Sequence, residues 1–390
     1  MSYSTRRPSG LFLPLIVAYE AVIMLAYALK LSQYRPLLFI PVSLILCNIV
    51  LLSRSCAITA VPPVDFLLGA TLLTQAFTAF DGIVLTDVQK TLCRIGETPG
   101  HVTSTSFAKR LAWALDLNFS PRGVGWAHEV PGLPKRPDST LRSKRSFLLS
   151  QTYALLKTAI MAVILRAASD LEPMMWYGAT PAWDEPLYFR VMASIAAPVV
   201  GVGISQPSEW RPLFGPLDAS YTVRNYWSVT WHQILRKPLA KISDHILRKF
   251  FPRSAVRPTL AYRFIQLHLI FFLSGLIHLG AEFIVRGEGG INFLVFFILQ
   301  PWIITLEEII QYLVTGTASS RNRRPKLIWR LVGYVWVFCW CVALMPLSQG
   351  FINGRGLHYG VDFWVRKGGP SVSQRTEYPG SGLELSKVEA

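Results

Sequence analysis

The sequence predicts an all-α polytopic membrane protein of about eight transmembrane helices. It also predicts two long basic cytoplasmic loops and an interfacial amphipathic helix. Three observations carry that expectation. Of the 390 residues, 51% are hydrophobic and only 16% are charged, where a soluble domain has about a quarter charged. The mean hydropathy is +0.35. Apolar residues gather into runs of the length, roughly 20 residues, that a helix needs to cross about 30 Å of hydrocarbon. The 22 Phe, 14 Tyr and 12 Trp exclude a disordered chain, because they bury too much apolar area to stay unfolded. The five cysteines are odd in number and form no CxxC pair. They therefore predict neither a disulfide framework nor a thiolate metal site.

In chain order, the runs cover residues 11–29, 36–52, 64–84, 147–165, 187–204, 260–281, 291–314 and 328–347. Lipid offers backbone groups no water to bond, so each run is expected to be helical. The first is too long for a signal peptide, carries Glu20 and lacks a small-residue cleavage site, so it reads as a span. The run 64–84 is the weakest, with Asp65 and Asp81 near its ends and Thr and Gln diluting it. No internal repeat argues for a transporter of matched halves. Residues 85–146 hold ten Lys/Arg against five acids, and residues 205–259 hold nine against three. Arg321, Arg323, Arg324 and Lys326 make a third basic loop, whereas 166–186 has one Arg against Asp170, Glu172, Asp184 and Glu185. Basic loops stay cytoplasmic, and their alternation with the acidic one sets the orientation. Most of the +16 net charge is accounted for in this way. The basic residues are divided among loops and not gathered with aromatics on one surface, so no nucleic-acid partner is expected. Residues 1–84 form N-terminal transmembrane helices, 85–347 a core, and 348–390 a polar, partly disordered tail. Asn118-Phe119-Ser120 has the form of a glycosylation sequon. It reads as chance, since it lies in a cytoplasmic loop and precedes Pro121.

Ionisable groups inside spans are expensive and mark a site or an internal pairing. The candidates are Glu20, Lys157, Arg190, Arg263, His268, His278, Glu307 and Glu308. His278 stands out. Gly275 and Gly280 bracket it on small-residue surface open to another helix or a ligand. Glu282 lies one helical turn on, where a carboxylate can orient the imidazole, and Ser274 lies one turn before. A neutral imidazole in a dry cavity is a suitable base for a hydroxyl. The same pattern also suits a packed histidine bonding a backbone carbonyl. A second constellation, Trp227, Trp231 and His232, precedes an amphipathic stretch over 231–251. Trp231, Leu235, Leu239, Ile242, Ile246 and Phe250 share one face, with Lys237, Lys241 and Arg248 opposite. That spacing predicts an interfacial helix kinked at Pro238, which by itself is a surface anchor.

Together these two constellations resemble the membrane-bound O-acyltransferase superfamily, and more closely its wax-synthase-like branch. The branch motif F-W-x-x-x-W-H/N reads Tyr226-Trp227-Ser228-Val229-Thr230-Trp231-His232, with Tyr replacing Phe. The second motif reads Ser274-Gly275-Leu276-Ile277-His278. Arg110, Trp113, Asn118, Arg122, Gly123, Gly125 and Trp126 resemble the R-x-x-W…N-x-R-G-x-G-W stretch of fungal members, with Phe119-Ser120-Pro121 intervening. The resemblance spans 85–347, which it makes an acyltransferase core. It implies transfer of an acyl group from a CoA thioester to a hydroxyl, in a chamber within the membrane. His278 would be the general base and His232 an auxiliary polar residue. Trp227, Trp231, Ser274 and Glu282 would line the substrate, and Arg236, Lys237 and Lys241 would attract the CoA phosphates. It implies acetyl-CoA or acyl-CoA as co-substrate, with no tightly bound cofactor and no metal. The other partners would be membrane lipids and a lipophilic, terpenoid-like alcohol of fungal secondary metabolism. The expected location is the endoplasmic reticulum or a related endomembrane. Two other classes compete. A membrane terpene cyclase or prenyltransferase would use Glu20, Glu307 or Glu308 as acid, though no DDxxD cluster is present. A non-catalytic transporter would have no dependence on His278.

Overall fold

The computed structural model describes residues 6–30, 33–59, 61–134, 143–153, 156, 160, 210–252, 259–287, 291–315 and 326–349. Among them the fold is all-α. The only extended pairings are isolated bridges, Pro8 with Ala57 and Arg94 with Trp126. The main helices are α1 (Phe12–Ala28), α2 (Phe39–Leu52), α3 (Pro62–Ala79) and α4 (Phe107–Asn118). They are followed by α5 (Arg236–Phe250), α6 (Leu260–Arg286), α7 (Asn292–Thr315) and α8 (Leu327–Gln349). Five segments are long and apolar enough to cross a membrane: Arg35–Leu52, Val64–Leu85, Leu260–Arg286, Asn292–Val314 and Leu327–Leu344. Helix α1 is apolar but shorter, at 17 residues. The expected spans at 147–165 and 187–204 fall largely outside the described residues, as do Lys157, Arg190 and the tail.

The diluted run at 64–84 proves to be a full helix because both of its acids are satisfied. Asp65 accepts hydrogen bonds from the Ile58 and Thr59 amides at 3.0 and 2.7 Å, which caps the start of α3. Asp81, in the π-turn Phe80–Leu85 that ends it, accepts from the Thr86 hydroxyl at 2.6 Å and pairs with Lys241 at 3.3 Å.

Helix α6 is the centre of the bundle, packed between α3 and α7. Its small residues face protein. A Cβ on Gly280 would lie 2.5 Å from Leu73 of α3, and one on Gly275 would lie 2.9 Å from Leu294 of α7. The sequence left open whether a helix or a ligand uses that surface, and helices use it on both sides. Because α3 belongs to the first 84 residues, the N-terminal helices and the core share one bundle.

The polar stretch after α3 is more than a loop. Helix α4 runs back along α1: Arg110 Nε donates to the Ala28 carbonyl at 2.9 Å, and Asn118 Nδ2 donates to Glu20 Oε2 at 2.7 Å. Both contacts are stepped by eight residues, about 12 Å of helix, so the two helices are antiparallel. Asn118 is buried in that contact, consistent with a chance sequon. Trp126 is fully buried, edge-on to Trp113 at 5.6 Å, with the Arg94 guanidinium 5.0 Å above its ring.

Helix α5 corrects one expectation. It starts at Arg236 and not Trp231, and Pro238 sits in its first turn, where the missing amide has no intrahelical partner to lose. No kink is required. Most of its apolar face is covered by protein, with Leu239 and Ile242 packed against Leu273 and Ile277 of α6 and Phe77 of α3, while Phe250 at its end is exposed.

Candidate active site

The two histidine motifs converge. His278 sits on α6 with Nδ1 2.8 Å from the Ser274 carbonyl, one turn back. A carbonyl can only accept, so that bond assigns the hydrogen to Nδ1 and leaves the lone pair on Nε2. No described residue hydrogen-bonds Nε2, and His278 as a whole is half-buried. Three phenylalanines surround the ring: Phe297 at 4.4 Å, Phe293 at 5.6 Å and Phe66 at 6.3 Å between centroids.

Phe297 also packs on Trp227, centroids 5.8 Å apart, and Trp227 stands 5.6 Å from Trp231. Trp231 in turn packs on His232 at 5.3 Å. An unbroken aromatic series therefore links His278 to the Trp-His segment. That segment is a short helix, Val223–Asn225, running into the π-turn Tyr226–Thr230. It is threaded into the bundle and is not a surface anchor. Trp227 Nε1 donates to Gln300 Oε1 at 3.2 Å, and the fully buried Gln300 is itself held by the Phe296 carbonyl at 2.8 Å. Gln300 went unnoticed in the sequence because a neutral amide in a span raises no charge alarm.

His232 is half-buried, but its Nδ1 is shielded from solvent and without a partner among the described residues. Burial first, then the nearby His278 and Arg122, push its pKa down to about 3. It is thus a neutral imidazole within electrostatic reach of His278. Phe214 packs edge-on against both Trp231 and His232, at 5.3 and 6.1 Å. Arg122 fixes the strand of chain leading to Phe214, donating to the Arg211 and Pro212 carbonyls at 2.8 and 2.6 Å.

Other expected site residues are placed differently. Glu282 is fully buried and accepts from Arg286 at 3.2 Å, so it is the Ser274 carbonyl and not this carboxylate that orients His278. Arg236 Nη1 is engaged with the Pro131 and Ser228 carbonyls and with Gln233. Lys241 bonds Thr86 at 2.8 Å besides its pairing with Asp81. Lys237 alone has no hydrogen bond or ion pair to a described residue. It lines a cavity of about 30 Å³, room for one water, together with Asp81, Thr86 and His128. Burial lowers the Lys237 pKa to about 8, and burial with Lys237 and Lys241 lowers that of His128 to about 3.

The carboxylates a cyclase would need as acids are already accepting hydrogen bonds. Glu20 is held by Asn118, Glu307 by the Val223 and Arg224 amides, and Glu308 by the Arg224 guanidinium. What the geometry offers is an imidazole lone pair that no described residue bonds, flanked by three phenylalanines and within electrostatic reach of His232. That pair suits removal of a proton from a hydroxyl.

Residues 210–299 match the model of the Membrane bound O-acyl transferase family. The acetyltransferase ataH of Aspergillus terreus is 30% identical over 223 residues, covering 56% of this chain and 69% of that protein. The acetyltransferase ple2 of Rhodocybe pseudopiperita is 29% identical over 312 residues, covering 75% and 79%. The acetyltransferase eriL of Hericium erinaceus is 24% identical over 383 residues, covering 90% and 95%. No solved structure matches the chain at a significant level. The matched segment holds both the Trp-His turn and the caged His278, and the likeness extends across most of these relatives, so the chain belongs to the membrane-bound O-acyltransferase family.

Proposed function

We propose that this protein is an O-acetyltransferase that moves the acetyl group of acetyl-CoA to a hydroxyl of a lipophilic alcohol. The acceptor is a terpenoid or meroterpenoid intermediate of fungal secondary metabolism, and the setting is the endoplasmic reticulum or a related endomembrane. The observation that carries the reading is the His278 Nε2 lone pair, unbonded and caged by phenylalanines, with the Trp-His segment brought up to it through Phe297.

In this chemistry His278 Nε2 takes the alcohol proton as the oxygen attacks the thioester carbonyl. The tetrahedral intermediate then collapses, the C–S bond breaks, and the imidazolium returns the proton to the departing CoA thiolate. The Ser274 carbonyl holds Nδ1–H throughout and steadies the charged ring. His232, neutral at working pH, donates its one N–H to the thioester carbonyl or to the cofactor's amide arm. Trp227 and Trp231 form the wall on the acyl-CoA side. Glu282, tied to Arg286, shapes the far end of the chamber. Lys237 meets the CoA phosphates, while Arg236 and Lys241 support it through their own protein contacts. Eight spans result if α1 and the runs at 147–165 and 187–204 each cross once. In that topology 85–347 is the catalytic segment, 1–84 braces it and 348–390 is a tail.

The test is incubation of membranes with radiolabelled acetyl-CoA and a panel of terpenoid alcohols. Labelled ester that disappears in His278→Ala supports the reading. No ester from any alcohol, with acetyl-CoA left intact, overturns it.

A further inference from the structure

We infer that Glu307 is a positioning residue for the acyl-CoA half of the site, acting from inside α7 on the Trp-His segment. This rests on the reading of Trp227 and His232 given above. Helix α7 is almost wholly apolar, so a carboxylate within it demands compensation. Glu307 is buried, and it is compensated by three neutral donors. Oε1 accepts from the Val223 amide at 2.7 Å and from Trp336 Nε1 at 2.7 Å, and Oε2 accepts from the Arg224 amide at 3.2 Å.

Val223 and Arg224 open the short helix that leads into the Tyr226–Thr230 turn, and first-turn amides have no partner within a helix. Thr222 covers the next amide, Asn225, at 3.0 Å, and Glu307 covers these two from 83 and 84 residues away. Helix α8 completes the arrangement. A Cβ on Gly333 would overlap the Tyr221 carbonyl oxygen, so glycine is what lets α8 approach closely enough to bring Trp336 to the carboxylate.

The geometry makes α7 a ruler between the two motifs. Phe297 packs on both His278 and Trp227, Gln300 bonds the Trp227 indole, and Glu307 bonds the backbone that delivers it. The distance from the caged imidazole to the Trp-His turn is therefore set along one helix. A carboxylate is required at its far end. Glutamine keeps one acceptor oxygen but turns an NH₂ toward donors.

The experiment measures KM and kcat in membranes for Glu307→Gln, Trp336→Phe, Glu308→Gln and His232→Ala. Glu307→Gln should raise KM for acetyl-CoA roughly tenfold, as expected for a lost charge-assisted hydrogen bond. KM for the alcohol should stay within twofold. A merely structural role would lower the amount of active enzyme and leave both KM values unchanged. Trp336→Phe keeps the carboxylate and an aromatic ring while removing the indole donor, so it tests the inference should the Gln variant fail to insert. It should raise the same KM about threefold. Glu308→Gln, which loses only the partly exposed pair with Arg224, should leave all constants within twofold. If His232→Ala raises the acetyl-CoA KM while Glu307→Gln and Trp336→Phe leave it unchanged, the inference is overturned and the site reading stands. If His232→Ala changes neither constant, both are overturned.

Discussion

The affinity for acetyl-CoA should fall as pH rises through 8, and Lys237 should be the cause. Burial lowers this amine to about 8, and of the three cations beside the Trp-His turn it alone has no protein partner among the described residues. A group titrating near 8 is about nine-tenths protonated at pH 7 and about one-tenth protonated at pH 9. The CoA phosphates, whose second ionisation lies near 6, are already charged across that range. If the ammonium-phosphate contact is worth roughly tenfold in binding, KM should climb about fivefold from pH 7 to pH 9. Lys237→Gln should show the raised KM at every pH and no step. Unfolding would not imitate the effect. A lysine whose folded pKa lies below its unfolded value near 10.4 makes the fold more stable as pH rises between the two. The assay is initial-rate acetylation from pH 6 to 9.5. An acetyl thioester of the cysteamine arm, lacking the nucleotide, serves as phosphate-free donor. A step that persists in Lys237→Gln, or that also appears with the phosphate-free donor, would refute the assignment.

His278→Ala should lower kcat by about 10²–10⁴-fold with membrane insertion unchanged, read by ester formation against protein in the membrane fraction. Retention of more than half the activity would remove it from the chemistry. His232→Asn should keep more activity than His232→Ala, because an amide can still donate where a neutral imidazole did. Equal loss in both would mean that the imidazole itself titrates during turnover. Gly280→Ala should lower thermal stability in detergent, since its Cβ would lie 2.5 Å from the Leu73 Cδ1 atom, and Leu73→Ala in the same chain should restore part of the loss.

Five of the eight expected spans and both histidine motifs were legible in the sequence because their signals are local. An apolar run, a charge within it and a Trp-His pair are each visible in a window of 20 residues or fewer. What was not legible depends on contacts between distant segments. Arg110, Asn118 and Arg122 read as parts of one motif, yet the first two are bonded to α1 and the third to the Arg211 and Pro212 carbonyls. Glu282 sits four residues from both His278 and Arg286, and periodicity ranks the two partners equally; the guanidinium takes the carboxylate. Gly275 and Gly280 advertised a close approach without saying of what. The 231–251 stretch matched one amphipathic face throughout, but its first five residues belong to the turn before α5.

The hydrogen bond from His278 to the Ser274 carbonyl is made within one helical turn, and that has a consequence for how such an enzyme can diversify. The orientation of the imidazole is written into α6 itself and borrows nothing from the opposite wall. Phe66 and Phe293, which face the ring from α3 and α7, can then be exchanged for larger, smaller or polar residues without disturbing the tautomer. Acceptor shape and proton transfer are thereby separable properties in the proposed reaction. Under the proposed chemistry, a new alcohol can be accommodated by remodelling two side chains while the base stays as it is.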